Sequence, residues 1–411
     1  MALAALVACA LLARGPAVAA EADGAGEKTF SLRTSLKASL LVEHGPEAPL
    51  YYPEPTTATS YWRLRLEPEA RLGTGATLAA AYEQRLRSWS AVTGAVAAGF
   101  IQSEAPAPYR VAQLDWSLAR GTGFSWRHEI DRLAVALRSR RVDLTLGRQA
   151  VGWGRGVLFG AIDLYAPFTP LEPDREWRRG VDAARAEVKF KERYSLDADA
   201  AFDDTLDGSA FGARLRGYRG KLDFEVCGGR RARDVYAGVT SSAALGDVEV
   251  HGELALFRLP EALPFGARNV PKAVLGGSYR LALGKGLMLA GEYHYSGFGA
   301  PRPEDIVPLL TDPGFRERYL RGDTQILGRH ALAVIASYEV SPELALSNEW
   351  LQSPSDGSGV VVPSVTLTLG DKVSLLFTGY VPYGEGPVGL TWQSEYGLTP
   401  LSAFVQLRLY E

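Results

Sequence analysis

Cysteine is nearly absent from this chain: 411 residues hold two, Cys9 and Cys227. Residues 1–20 read as a cleaved export signal, which leaves Cys227 alone. A mature chain with one cysteine can form no internal disulfide. It also carries no C-x-x-C redox or zinc spacing and no C-x-x-C-H for covalent haem. Long apolar runs are missing too. Beyond the signal, no segment reaches the 18 or so continuous apolar residues of a spanning helix. Neither sign of charge dominates: 44 Lys and Arg stand against 47 Asp and Glu, a formal net charge of -3. With no polybasic tail and no basic cluster beside aromatics, nucleic acid is not an expected partner. Histidine is scarce, five residues in all, with no H-E-x-x-H signature. No cofactor or metal site is expected.

What the chain does have is a two-residue rhythm from about residue 28 to its end. Leu64, Leu66, Ala70 and Leu72 alternate with Arg63, Arg65, Glu67, Glu69 and Arg71. Phe30, Leu32, Leu36, Leu40 and Val42 alternate with Ser31, Arg33, Ser35, Lys37 and Glu43. Successive side chains of a strand point to opposite faces, so each segment has one apolar and one charged face. Many such segments behind an export signal predict an all-β fold: a transmembrane antiparallel barrel, apolar outside and wet inside. A soluble all-β fold would have to cover every apolar face with sequence that is poor in helix signals.

The signal reading rests on the apolar run over 1–13, the break at Arg14-Gly15-Pro16 and the small residues Val18-Ala19-Ala20 before Glu21. The barrel domain then covers 21–411. Its alternating segments number about eighteen, with sixteen as the alternative. The stretch Tyr109 to Leu118 also alternates and is a candidate extra strand. Connections alternate in length. Gly73-Thr74-Gly75, Arg219-Gly220, Gly246-Asp247, Gly284-Lys285-Gly286, Ser341-Pro342 and Gly370-Asp371 are short turns. The connections 44–59, 88–125, 152–180, 259–271, 297–325 and 383–398 are long. Short periplasmic turns opposite long external loops are the bacterial outer-membrane pattern, with an even strand number.

Alternation assigns faces. Arg63, Arg65, Glu67, Arg85, Asp197, Asp199, Glu249, His251 and Glu253 are the candidate lumen-lining residues, and Cys227 points the same way. Tyr194, Leu196, Leu222, Phe224, Val226, Val248, Leu254 and Leu256 face lipid. Trp62, Trp89, Tyr293, Tyr295 and Tyr380 near strand ends suit aromatic girdles.

Residues 143–187 are the most distinctive stretch. Strict alternation would turn Arg148 towards lipid, where a charge is costly. A bulge at Gly147 would re-aim Arg148 and Gln149; otherwise Arg148 sits at headgroup level. The following loop, 152–180, is rich in Phe159, Tyr165, Phe168 and Trp177 and punctuated by Pro167, Pro170 and Pro173. Loops of this length are usually functional or disordered. Folded into the barrel, it would narrow the pore and present Arg155, Asp163, Glu172, Asp174, Arg175, Glu176, Arg178 and Arg179. Opposed charges at a constriction create a transverse field that orients polar solutes. The alternative is that these charges pair and pin the loop, with Asp182 and Arg185 joining in.

Glu129-Ile130-Asp131-Arg132-Leu133, Gly147-Arg148-Gln149, Trp153-Gly154, Asp163, Pro167-Phe168 and Arg179-Gly180-Val181-Asp182 together resemble a signature of porin-like outer-membrane barrels of Gram-negative bacteria. The detailed resemblance spans about 126–190. It implies outer-membrane location and passive transport of small hydrophilic solutes or ions, without naming the solute. Expected partners are outer-membrane lipid and the solute itself, with a homo-oligomer or a periplasmic or extracellular protein as further candidates. Two other readings compete: the barrel sheath of a porin–cytochrome electron conduit, and a surface-polysaccharide export barrel. An enzyme is not expected. His251 with Glu249 and Glu253, near His294 and Glu292, could form a carboxylate–His pair, but polar residues in a watered lumen need no such role.

Overall fold

A computed structural model describes residues 29–91, 107–191 and 193–411. The expected signal at 1–20 lies outside them. Nineteen strands follow in chain order: β1 (Phe30–His44), β2 (Thr56–Leu72), β3 (Ala76–Trp89), β4 (Asp115–Gly121), β5 (Phe124–Arg138), β6 (Val142–Gln149), β7 (Val181–Phe190), β8 (Tyr194–Ala201), β9 (Ala210–Arg219), β10 (Leu222–Arg231), β11 (Asp234–Leu245), β12 (Val248–Arg258), β13 (Asn269–Leu281), β14 (Leu287–Ser296), β15 (His330–Ser341), β16 (Leu344–Gln352), β17 (Gly359–Thr368), β18 (Val373–Tyr383) and β19 (Leu401–Tyr410).

Every neighbouring pair is antiparallel, and β19 closes on β1, with Ser35 opposite Tyr410. Closure leaves the barrel without a free sheet edge that would present a row of unpaired backbone groups to hydrocarbon. Eighteen strands form the staves, in agreement with the count read from alternation. The extra strand β4 is not a nineteenth stave. It pairs only with the upper part of β5, Asp115 opposite Glu129, while β6 pairs with the lower part, Leu133 opposite Arg148. β3 covers the other edge of β5 along its length. β4 therefore extends the column of β6, and of the predicted stretch only Asp115 to Leu118 is strand.

The two faces separate as the alternation requires. Leu254, Leu256, Leu222 and Val226 are exposed on the outside, whereas Asp197, Glu253, His251 and Cys227 are buried inside. An apolar exterior around a polar interior inverts the soluble arrangement and fits a bilayer. The girdle assignment needs one correction. Tyr380 is buried in the interior, and its hydroxyl donates to the Leu171 carbonyl at 3.1 Å. It shares the inward face of β18 with Thr378, two residues before it, so its position near the strand end does not decide its side.

At the open end the long connections pack on one another. The connection 297–329 contains two helices, α1 (Ile306–Thr311) and α2 (Pro313–Arg321), where sequence indicated only a loop. Asp312 caps α2 by accepting the Phe315 N–H. Ile306, Leu309 and Phe315 bury against Tyr52, Trp392 and Leu398. Asp323 ties α2 to the barrel rim through Arg231 at 2.8 Å and Arg321 at 2.6 Å.

Glu395 joins this cap to the last long connection. Its Oε1 accepts the Leu327 and Gly328 N–H groups at 2.9 Å each, while Oε2 has no hydrogen-bond partner. Burial pushes its carboxyl up to about 7. When the cap opens, the group returns to the ordinary value near 4.5. Between these values the closed cap holds a proton that the open cap releases, so stability is full below the lower value and is lost as pH rises through about 7. Proteolysis of 297–329 should thus be faster at pH 8 than at pH 5, measured relative to Glu395→Gln at each pH. Equal pH dependence in both proteins would refute the assignment.

Candidate functional site

The loop 150–180 runs inside the barrel, and main-chain hydrogen bonds seat it there. Glu253 on β12 accepts the N–H groups of Arg155, Gly156 (2.9 Å), Ala161 (2.7 Å) and Ile162 (3.3 Å). Glu292 on β14 accepts those of Val157, Leu158 (2.9 Å) and Phe159 (3.1 Å). His251 Nε2 lies 2.8 Å from Glu292 Oε1 and fixes that carboxylate from the wall side. Two inward carboxylates thus satisfy seven backbone donors that would otherwise be stranded in a long buried loop. Phe159 stacks on His294 at 4.9 Å, and Trp153 and Tyr165 meet edge to face at 5.8 Å. Ile162, Tyr165 and Phe159 are buried with Tyr236, Phe257 and Val274 of the wall.

The signature segments meet at the base of this loop. Arg148 is buried, with Nε and Nη2 on the Asp182 carboxylate at 2.7 and 2.9 Å. Its remaining donors reach the Ile130 carbonyl at 3.0 Å and the Ala112 carbonyl. Asp182 in turn accepts the Ala112 N–H at 3.1 Å and donates its own N–H to the Tyr109 carbonyl. The penultimate residue of β6 is thus tied to the second residue of β7, and both to the strap 109–112.

The expected bulge at Gly147 is not there. Register is unbroken through Gly147 on both sides. Gly147 instead adopts φ +111°, in the left-handed region, within a ladder that holds no inserted residue. The bulge lies on β5, where Asp131 is the extra residue between Ile130 and Arg132. Asp131 accepts the Gly180 N–H at 2.9 Å and binds Arg65, Arg110 and Arg132 at 2.7–3.0 Å. A Cβ on Gly180 would overlap the Asp131 carbonyl oxygen, so only glycine fits this approach.

The charged loop candidates fall into pairs, most of them reaching across to the wall. Asp163 and Arg178 bind each other at 2.7 Å within the loop. Arg155 donates to Ser242 at 3.0 Å and lies 3.4 Å from Asp223 and Glu225. Lys37 on β1 reaches Asp174 at 2.7 Å and Glu176 at 2.6 Å. Arg175 donates to the Pro170 carbonyl and sits 3.8 Å from Glu349. Burial pushes Arg179 down to about 10, aided by Arg85 beside it. Burial also raises Glu172 to about 7, against the Thr169 N–H that it accepts.

Among the lumen-lining candidates, Arg63, Arg65 and Arg85 converge on Glu83. Glu67 binds Arg65 at 3.0 Å, and Asp197 holds Arg185 and Arg214. Asp199 accepts the Tyr165 hydroxyl, and Glu249 lies 3.3 Å from His251. Sequence reasoning did not find Lys37 and Trp177 as partners. The Lys37 ammonium sits 3.7 Å from the Trp177 ring centroid, with Arg63 and Arg65 also over the ring. Nor did it assign Glu292 to the loop, although inward alternation on β14 places it beside His294. Among the described residues no cluster of His, Cys, Asp and Glu is arranged to hold a metal ion.

No protein-family model and no curated protein matches the chain. Solved structures do match, and they are outer-membrane porins. OccAB1 of Acinetobacter baumannii superposes with a TM-score of 0.57 at 11% identity, covering 95% of this chain and 98% of that one. OpdQ of Pseudomonas aeruginosa gives 0.54 at 7% identity, covering 94% and 99%. OccK11 (OpdR) of the same organism gives 0.53 at 10% identity, covering 93% and 95%. At these identities the likeness is one of fold: a closed 18-stave antiparallel barrel of the porin type.

Proposed function

We propose that this chain is an outer-membrane channel for small hydrophilic solutes or ions, in which the loop 150–180 sets the width and polarity of the passage. The observation that carries this reading is the seating of that loop on Glu253 and Glu292 inside a closed barrel with an apolar exterior. Arg155, Asp163, Glu172, Asp174, Arg175, Glu176, Arg178 and Arg179 then lie at the constriction. Their charges act on a passing solute at short range. The chain is exported, loses residues 1–20 and inserts with its short turns towards the periplasm. Lipid surrounds the exterior, and catalysis has no part in the reading. A sheath around a cytochrome is disfavoured, because the chain's own loop occupies part of the bore that a haem protein would need.

Single-channel conductance of the refolded mature chain in a planar bilayer tests this directly. Steady current steps are expected; a barrel that inserts and stays silent would sink the reading. The Glu172 carboxyl adds a pH signature. Its value of about 7 means that it gains negative charge as pH rises from 6 to 8. In a salt gradient the reversal potential should move towards cation preference over that interval. Glu172→Gln should reduce the shift while leaving conductance near the wild-type level.

A further inference from the structure

One flank of the inward loop is packed shut. Phe159, Ile162 and Tyr165 press against the wall from β11 to β14. The other flank is held by fewer contacts, among them Lys37 on Asp174 and Tyr380 on the Leu171 carbonyl, and leaves space beside the wall. Between the loop arm 170–175 and the inner faces of β16 to β18 lies a cavity of about 310 Å³, at the small end of ligand sites, which run from roughly 300 to 1,000 Å³.

Its wall has an ordered polar pattern. Register sets Ser347 opposite Ser364, and Ser364 opposite Thr378, so three hydroxyls form one row across three strands. Ser364 Oγ and Thr378 Oγ1 are 2.9 Å apart. Leu171, Val362 and Leu376 supply aliphatic surface beside the row. Charges are present but balanced: Glu172 and Glu349 face Arg175 and Arg408. Two buried polar atoms there lack hydrogen-bond partners, the acceptor Glu349 Oε1 and the donor Arg175 Nε. A hydroxyl can donate to the first and accept from the second, and it matches the serine and threonine row in both roles. An ammonium group satisfies only the carboxylate and meets repulsion from arginine; a carboxylate meets the reverse.

We propose that this cavity is a subsite for a small uncharged polyhydroxylated solute of about monosaccharide size, its C–H faces on Leu171, Val362 and Leu376 and its hydroxyls on the polar row. As a station for a passing solute it rests on the channel reading; as a binding site it does not. Saturation-transfer NMR on the refolded chain in detergent micelles tests it, with D-glucose as probe. L-alanine serves as a zwitterionic control and tetraethylene glycol as a control of similar size without vicinal hydroxyls.

Glucose should give a saturable signal that exceeds both controls. Ser364→Val/Thr378→Val should weaken it about tenfold, the effect of losing one or two hydrogen bonds. Ser347→Ala, at an exposed position that packing does not depend on, should weaken it about threefold and keeps the test valid if the double variant misfolds. Equal signals from glucose and tetraethylene glycol, a stronger signal from alanine, or no change in Ser347→Ala would overturn the proposal. A barrel that binds glucose but never conducts would remove the channel reading and leave the site. One that conducts without preferring glucose would do the opposite.

Discussion

Glu253→Gln/Glu292→Gln is expected to free the inward loop and raise single-channel conductance, with frequent switching between levels. The two carboxylates accept seven main-chain N–H groups from residues 155–162. A glutamine side chain keeps one acceptor oxygen but turns an NH2 towards donors, so several of these bonds are lost and their donors stay buried. Hydrogen bonds to a charged acceptor contribute about 1.5–3 kcal/mol each, and stranding a buried partner costs a further desolvation penalty. The docked position should weaken by about 3–5 kcal/mol in total, given that neighbouring losses do not add. That is enough to populate undocked states. The apolar contacts of Phe159 and Ile162 oppose release, which is why switching is expected rather than one larger open level. Glu253→Gln alone should show an intermediate effect. Unchanged conductance in the double variant, with the barrel correctly folded, would mean that the loop is held by its side-chain packing or that it does not limit the current.

The staves were legible in the sequence because each one repeats the same local rule. Asp197 and Asp199 inward with Leu196 and Ala198 outward is a statement about four consecutive residue positions, and closure only requires many such statements to agree. The course of the loop was less legible. Its charged residues announce pairing, but its seat depends on backbone N–H donors, which every non-proline residue carries. Nothing in the composition of 150–180 points to Glu253 or Glu292. The signature segments were visible one by one, yet their meeting depends on the register of β5, β6 and β7, which sets Arg148 opposite Leu133 on one side and Asp182 on the other. Gly147 shows the limit clearly. Sequence marks it as a break in alternation, and both an inserted residue and a positive φ would re-aim Arg148. Hydrogen-bond register alone separates them.

Arg148→Ala should destabilise the barrel by about 3–5 kcal/mol, the range for breaking a buried ion pair from one side. The loss leaves Asp182 without its bidentate partner and strands the Ile130 and Ala112 carbonyls, in a place that the bulge at Asp131 has already made irregular. Asp182→Asn should cost less, since Arg148 keeps both carbonyls and the asparagine oxygen still accepts one bond. The informative comparison is Arg148→Met/Asp182→Leu. Removing both charges also removes the unpaired charge, so the double variant should lose less than the two single changes summed, as buried pairs commonly do. Urea midpoints of the folded barrel in micelles would measure all three. A second readout isolates the local role. Arg148 and Asp182 bind the carbonyl and the N–H of Ala112, so each variant should expose the strap 109–113 to protease before global unfolding. If the strap stays protected while the midpoint falls, the pair supports the stave and not the loop base. If neither changes, the constellation stabilises neither.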